Sequence, residues 1–140
     1  MKNPHILIVD DFADSREMYG YLLSEQGFQV ASAADGQEGL DKAAQIRPDV
    51  ILMDLSLPDM DGWEVIRRLK DADNTKHIPV VLLTAYDLPP TPMAGCAGVL
   101  IKPCRPDKMI GEIRRLLGPE WPHADSAATP QDAAARSQRA

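Results

Sequence analysis

The stretch Val50-Ile51-Leu52-Met53-Asp54 constrains this chain more than any other. Four apolar residues run without interruption into a carboxylate. The run is far too short to span a membrane and lacks the alternation of a half-exposed strand. It fits a strand covered on both faces, as in a parallel sheet. Asp54 then stands where that strand ends, and open α/β sheets bind their ligands beyond the carboxyl ends of the strands. Taken alone, Asp54 reads first as an ordinary turn residue.

Other strand ends change that reading. Ile6-Leu7-Ile8-Val9 is a second apolar run and leads into Asp10-Asp11; Val80-Val81-Leu82-Leu83 leads into Thr84; the shorter Val99-Leu100-Ile101 leads into Lys102-Pro103. If these strands are parallel neighbours, three carboxylates, a hydroxyl and an ammonium converge on one edge of the sheet. Clustered carboxylates raise one another's pKa unless a cation is present. A hard divalent ion with oxygen ligands, such as Mg²⁺, relieves the repulsion. The lysine and the threonine could then hold the oxygens of an incoming phosphoryl group.

With these residues in place, residues 4–117 or so resemble the CheY-like receiver domain of bacterial response regulators. The resemblance rests on Asp10-Asp11, on Asp54 followed by Leu57-Pro58-Asp59-Met60-Asp61-Gly62, on Thr84-Ala85 and on Lys102-Pro103, in the right order and on the right elements. It implies that Asp54 accepts a phosphoryl group from a histidine kinase or a histidine phosphotransfer protein. It also implies that Asp10, Asp11, Asp54 and the main-chain carbonyl of Ser56 hold Mg²⁺, that Thr84 and Lys102 contact the phosphoryl oxygens, and that the Lys102-Pro103 bond is cis.

Strands alternate with helices along the rest of the chain. Asp14 followed by Glu17, Asp35 followed by Glu38, and Asp61 followed by Glu64 each have the spacing of a capping box. They predict helices over residues 15–26, 36–46 and from 62 on. Gly27 and Arg47-Pro48 stop the first two. Gln29 to Ala33 reads as a weak second strand. A last helix is expected over 106–117, with Met109, Ile110, Ile113, Leu116 and Leu117 as its apolar stripe and Arg105 where a capping carboxylate would be favoured. The expected architecture is a doubly wound five-stranded parallel sheet of order 2-1-3-4-5, flavodoxin-like. Residues 1–118 form the domain, and 119–140, poor in apolar residues, form a disordered tail. Of Tyr19 and Tyr21, at most one can face the core. Trp63 is expected to pack, and Cys96 and Cys104 to act as small buried hydrophobes.

One segment and four single positions depart from the family or tune it. Residues 86–98 contain Pro89, Pro90, Pro92, Gly95 and Gly98, and the interval from Thr84 to Lys102 is about one helical turn, ~4 residues, shorter than usual. A short or irregular fourth helix is expected there. Val99 stands three positions before the lysine, where receivers usually carry an aromatic residue. A side chain with no ring and few rotamers cannot couple to Thr84 in the usual way, so the output switch should use the Thr84 loop and the Pro-rich segment instead. By the same resemblance Ser56 and Tyr86 border the path of the hydrolytic water. Ser56 is too short to orient it and Tyr86 could shield the phosphoryl group, which predicts slow autodephosphorylation. Ala85 leaves room for that group.

The formal net charge of −6 disfavours nonspecific binding to nucleic acid or to anionic membranes. The start, Met1-Lys2-Asn3-Pro4, has no long apolar segment of the kind that directs secretion, and a cytoplasmic location is expected. No DNA-binding or enzymatic segment follows, so output is expected through contacts with a downstream protein. Other readings are possible. An Asp-nucleophile phosphatase of the haloacid-dehalogenase kind would carry a carboxylate two positions after Asp54, where this chain has Ser56. A flavin or nucleotide site would place amides around phosphate at the first strand end, where Asp10-Asp11 would repel it. A receiver-like interaction module that is never phosphorylated has no obvious use for the acidic set.

Overall fold

The computed structural model describes residues 3–84, 96–102 and 104–118. Within them the chain forms β1 (His5–Val9), α1 (Ala13–Glu25), β2 (Gln29–Ala33), α2 (Gly36–Ile46), β3 (Val50–Asp54), α3 (Gly62–Asp71), β4 (Val80–Thr84), β5 (Gly98–Ile101) and α4 (Pro106–Leu117). The five strands are parallel and lie in the order β2-β1-β3-β4-β5, as the alternating pattern predicts. β3 and β4 are buried along their whole length, which is why their sequences read as continuous apolar runs rather than as alternation.

Successive side chains of each strand go to opposite faces. Ile6, Ile8, Leu52, Val81 and Leu83 pack with Tyr19 and Leu23 of α1 and with Met109, Ile113 and Leu117 of α4. Leu7, Val9, Ile51, Met53, Val80 and Leu82 pack on the other side with Ala43 of α2 and with Val65, Ile66 and Leu69 of α3. The sheet is thus covered on both faces, and the order reverses at β1, which sends the chain to β2 on one side and to β3 on the other. That switch point leaves a crevice at the carboxyl ends of β1 and β3.

Two of the three predicted caps form. The Asp35 carboxylate accepts the Glu38 N–H at 2.8 Å, and Asp61 accepts the Glu64 N–H at 2.9 Å. Neither completes the reciprocal box: Glu38 reaches the Ala34 N–H at 2.8 Å, and Glu64 turns away to Arg67 and Arg68. The Asp14 cap is a correction. α1 starts at Ala13, its N-cap is Phe12 and no side chain caps it. Asp10 causes the earlier start, because its Oδ1 accepts the Phe12 N–H at 2.9 Å and turns the chain before Asp14 is reached. Pro106 opens α4, as fits a residue with no N–H to leave unpaired, and Arg105 before it makes no cap but pairs with Asp107 at 3.3 Å.

Tyr19 is buried and Tyr21 exposed, in line with one core tyrosine at most. Trp63 departs from its expected role: it remains 38% exposed, because the buried stripe of α3 runs through Val65, Ile66 and Leu69 and passes it by. Cys96 and Cys104 are half-buried rather than fully buried. Residues 85–95, on which the expected fourth helix falls, and 119–140, the expected tail, lie outside the described residues. Among the described residues no helix is long and apolar enough to cross a membrane.

Candidate functional site

The crevice at the switch point collects the strand-end residues. Asp10 follows β1 and is 1% exposed. Its main chain is fixed from two sides, by its own N–H donating to the Ala33 carbonyl at 3.1 Å and by Arg16 Nη1 donating to its carbonyl at 2.8 Å. Asp54 closes β3, beside Leu83 of β4, and its Oδ1 accepts the Ser56 N–H at 3.1 Å. Thr84 closes β4 beside Ile101 and is buried. Its carbonyl accepts the Lys102 N–H at 2.7 Å, which anchors the start of the chain after β5. From that anchor Lys102 reaches across the crevice: Nζ stands 3.0 Å from Asp10 Oδ2 and 3.4 Å from Asp54 Oδ2.

Asp11 is exposed at the rim, and Asp10, Asp11 and Asp54 each offer an oxygen within 4.8 Å of the others. Ser56 lies exposed in the loop after β3. Val99 is half-buried against the α2/α3 side of the sheet. Ala85, Tyr86 and Pro103 lie outside the described residues, and with them the Tyr86 shield and the geometry of the Lys102-Pro103 bond.

The charge balance of this pocket is unresolved by protein groups alone. Burial pushes the Asp54 carboxyl above its ordinary range, and the Ser56 N–H and the Lys102 charge offset only part of that rise. Burial would pull the Lys102 ammonium down, but its bond to Asp10 and the charges of Asp10 and Asp54 outweigh it and hold it above its usual value. The lysine stands closer to Asp10 than to Asp54. Three carboxylates against one ammonium leave an excess of negative charge around oxygen donors. This set fits a hard divalent cation such as Mg²⁺, which would draw on Asp10, Asp11, Asp54 and a loop carbonyl.

A testable consequence concerns stability against pH. A carboxyl with a raised folded pKa binds its proton more tightly folded than unfolded. Its contribution to stability therefore falls as pH rises from the ordinary carboxylate range through the folded value. In metal-free protein, Asp54→Asn is expected to raise the Tm by a few degrees near pH 7, and the gain should shrink as the pH is lowered toward about 4. Thermal unfolding across that range checks this; a gain independent of pH, or a loss, contradicts it.

Two contributors have no signature in the sequence. Arg16 holds the Asp10 carbonyl only because of how α1 crosses the end of β1. Asp59 belongs to a quoted motif, yet its contact is with α2, a segment remote in sequence.

Known proteins resemble this chain in sequence and in fold. Residues 6–114 match the family described as "Response regulator receiver domain". The polar-differentiation response regulator DivK of Brucella anthropi is 35% identical over 117 residues, a match covering 81% of this chain and 95% of DivK. The chemotaxis protein CheY4 of Vibrio cholerae superposes with a TM-score of 0.77 at 32% identity, covering 82% of this chain and 99% of CheY4. The receiver domain of a sensor histidine kinase from Pseudomonas aeruginosa, whose structure has magnesium coordinated in the active-site cleft, has a TM-score of 0.77 at 29% identity, covering 84% of this chain and 99% of that domain. In sequence and in fold, this chain belongs to the response regulator receiver domains.

Proposed function

We propose that this chain is a phosphorylation-dependent signalling module in which Asp54 accepts a phosphoryl group from a histidine kinase or a histidine phosphotransfer protein. The observation that carries this is the placement of Lys102 Nζ between Asp10 and Asp54, beside a third carboxylate, at the carboxyl edge of the sheet. An Asp54 carboxylate oxygen attacks phosphorus and forms the new P–O bond. The P–N bond to the donor imidazole breaks, and its electron pair stays on nitrogen. Lys102 neutralises charge on the phosphoryl oxygens, and the hydroxyl of Thr84, the residue that ends the neighbouring strand, donates to one of them.

A bound Mg²⁺ would supply the positive charge that lets a dianion approach two further carboxylates. Asp10, Asp11, Asp54 and the Ser56 carbonyl are the residues that would hold it. Asp54 is buried at the floor, so only a donor delivered into the crevice can react. Phe12, Met18 and Tyr21 of the α1 segment are exposed apolar side chains, suited to contact a partner protein. Output then passes through protein contacts, and 1–118 is the folded unit that makes them.

Incubation with acetyl phosphate and Mg²⁺ should add one phosphoryl group to the intact protein, and excess chelator should stop it. Labelling undiminished by chelator contradicts the metal role of Asp10 and Asp11.

A further inference from the structure

The loop from Leu55 to Asp61 carries the Ser56 carbonyl and has three kinds of anchor. At its ends, Ser56 donates to Asp54 Oδ1 at 3.1 Å, and Gly62 donates to the Leu55 carbonyl at 2.9 Å. Leu55, Leu57 and Met60 pack part of their side chains on the α2/α3 core. The exposed middle is tied differently. Asp59 Oδ1 accepts the Gly36 N–H at 2.8 Å, and Asp59 Oδ2 accepts the Gln37 N–H at 2.9 Å.

Gly36 and Gln37 are the first residues of α2, and their N–H groups have no partner within the helix. The helix's own cap, Asp35, serves only the next one, Glu38. One carboxylate from a remote loop thus completes the N-terminus of α2, with favourable charge for the helix dipole. The two N–H donors hold the Asp59 carboxyl below its usual range, so the clip is ionised under all ordinary conditions. Gly36 makes this approach possible: a Cβ there would come within 2.6 Å of Met60 Cγ and 2.9 Å of Val65 Cγ2.

We infer that Asp59 is a positioning residue for the metal site: it clips the β3–α3 loop to the N-terminus of α2 and so holds the Ser56 carbonyl toward Asp10 and Asp54. This rests on the reading above, in which that carbonyl is a metal ligand. Without the clip the loop keeps its ends and its apolar anchors, but its middle gains freedom. A ligand that must be ordered on binding lowers affinity, and groups that orient metal ligands typically govern it ten- to a hundredfold.

The test is calorimetric titration of the unphosphorylated full chain with MgCl₂, alongside thermal unfolding, for wild type, Asp59→Ala, Asp59→Asn and Asp35→Ala. Asp59→Ala is expected to raise the Mg²⁺ dissociation constant about tenfold. Asp59→Asn, which keeps one acceptor oxygen for one of the two N–H groups, should fall between it and wild type. Asp35→Ala removes a cap of the same helix without touching the loop, so it should lower the Tm and leave Mg²⁺ affinity within twofold of wild type. Mg²⁺ affinity unchanged in Asp59→Ala, or weakened equally by Asp35→Ala, overturns the clip while leaving the metal site standing. Absence of Mg²⁺ binding by wild type overturns the metal reading itself, and this inference with it.

Discussion

Lys102→Ala is expected to bind Mg²⁺ more tightly than wild type and yet to be phosphorylated by acetyl phosphate about 100-fold more slowly. The two effects have one cause. In the metal-free site the ammonium occupies the place of a counter-ion, 3.0 Å from Asp10 and 3.4 Å from Asp54. A divalent cation entering the pocket has to share those carboxylates with it, and two cations at such separations repel by several kcal/mol even at an effective dielectric near 20. Most of that is offset by desolvation and rearrangement, but a residue of only ~1.4 kcal/mol is tenfold in affinity. Phosphoryl transfer asks for the opposite. Charge spread over the phosphoryl oxygens needs fixed positive groups around it, and removing one such donor from a preorganised site typically costs 10²–10³ in rate. Calorimetry with Mg²⁺ and the time course of labelling measure the two sides separately. Mg²⁺ affinity equal to or weaker than wild type shows that Lys102 does not compete with the metal, and labelling at the wild-type rate contradicts its role at the phosphoryl group.

Gly62→Ala should cost about 2 kcal/mol of stability, a Tm loss of about 10 °C. On helix propensity alone this substitution would be favourable. The geometry decides otherwise: a Cβ at Gly62 would sit 2.8 Å from the Asp54 carbonyl oxygen and 2.9 Å from Leu55 Cα. Both are backbone atoms and cannot swing aside as a side chain would, so α3 or the end of β3 must move. Because the end of β3 carries Asp54, Mg²⁺ affinity should fall with stability. Gly111→Ala in α4 is the control. Nothing lies within 4 Å of a Cβ there, and a gain of about 0.5–1 kcal/mol is expected. Thermal unfolding of the two variants settles the matter, and a Gly62→Ala protein as stable as wild type refutes the close approach.

The strands at the centre of this fold are legible because burial on both faces erases polar residues from them. Val50 to Met53 and Val80 to Leu83 could hardly be read otherwise, and their parallel pairing brings Asp54 and Thr84 to one edge. The caps of α2 and α3 are local and were equally legible. The cap of α1 was not, because a better-placed competitor, Asp10, turned the chain first, and the spacing of Asp14 and Glu17 carries no trace of it. Trp63 illustrates a second limit, since hydrophobic character alone does not say which side of a helix start is covered. The Asp59 clip is a third. It joins residues 23 apart in sequence, and only the packing of α2 against the loop brings them together. At the site itself, the placement of Asp10, Asp11, Asp54, Thr84 and Lys102 followed from strand ends alone. The anchoring of Asp10 by Arg16 and the unequal sharing of Lys102 between two carboxylates depend on distances of a few tenths of an ångström, which no sequence pattern encodes.

Phosphoryl transfer to an Asp54 carboxylate oxygen is tested most directly by treating the full chain with acetyl phosphate and Mg²⁺, reducing any acyl phosphate with borohydride, and mapping the product by peptide mass spectrometry. Reduction converts an aspartyl phosphate to homoserine. Homoserine is expected at position 54 in wild type, with no phosphoryl uptake in Asp54→Ala. Homoserine at another aspartate, or equal uptake by Asp54→Ala, would contradict it.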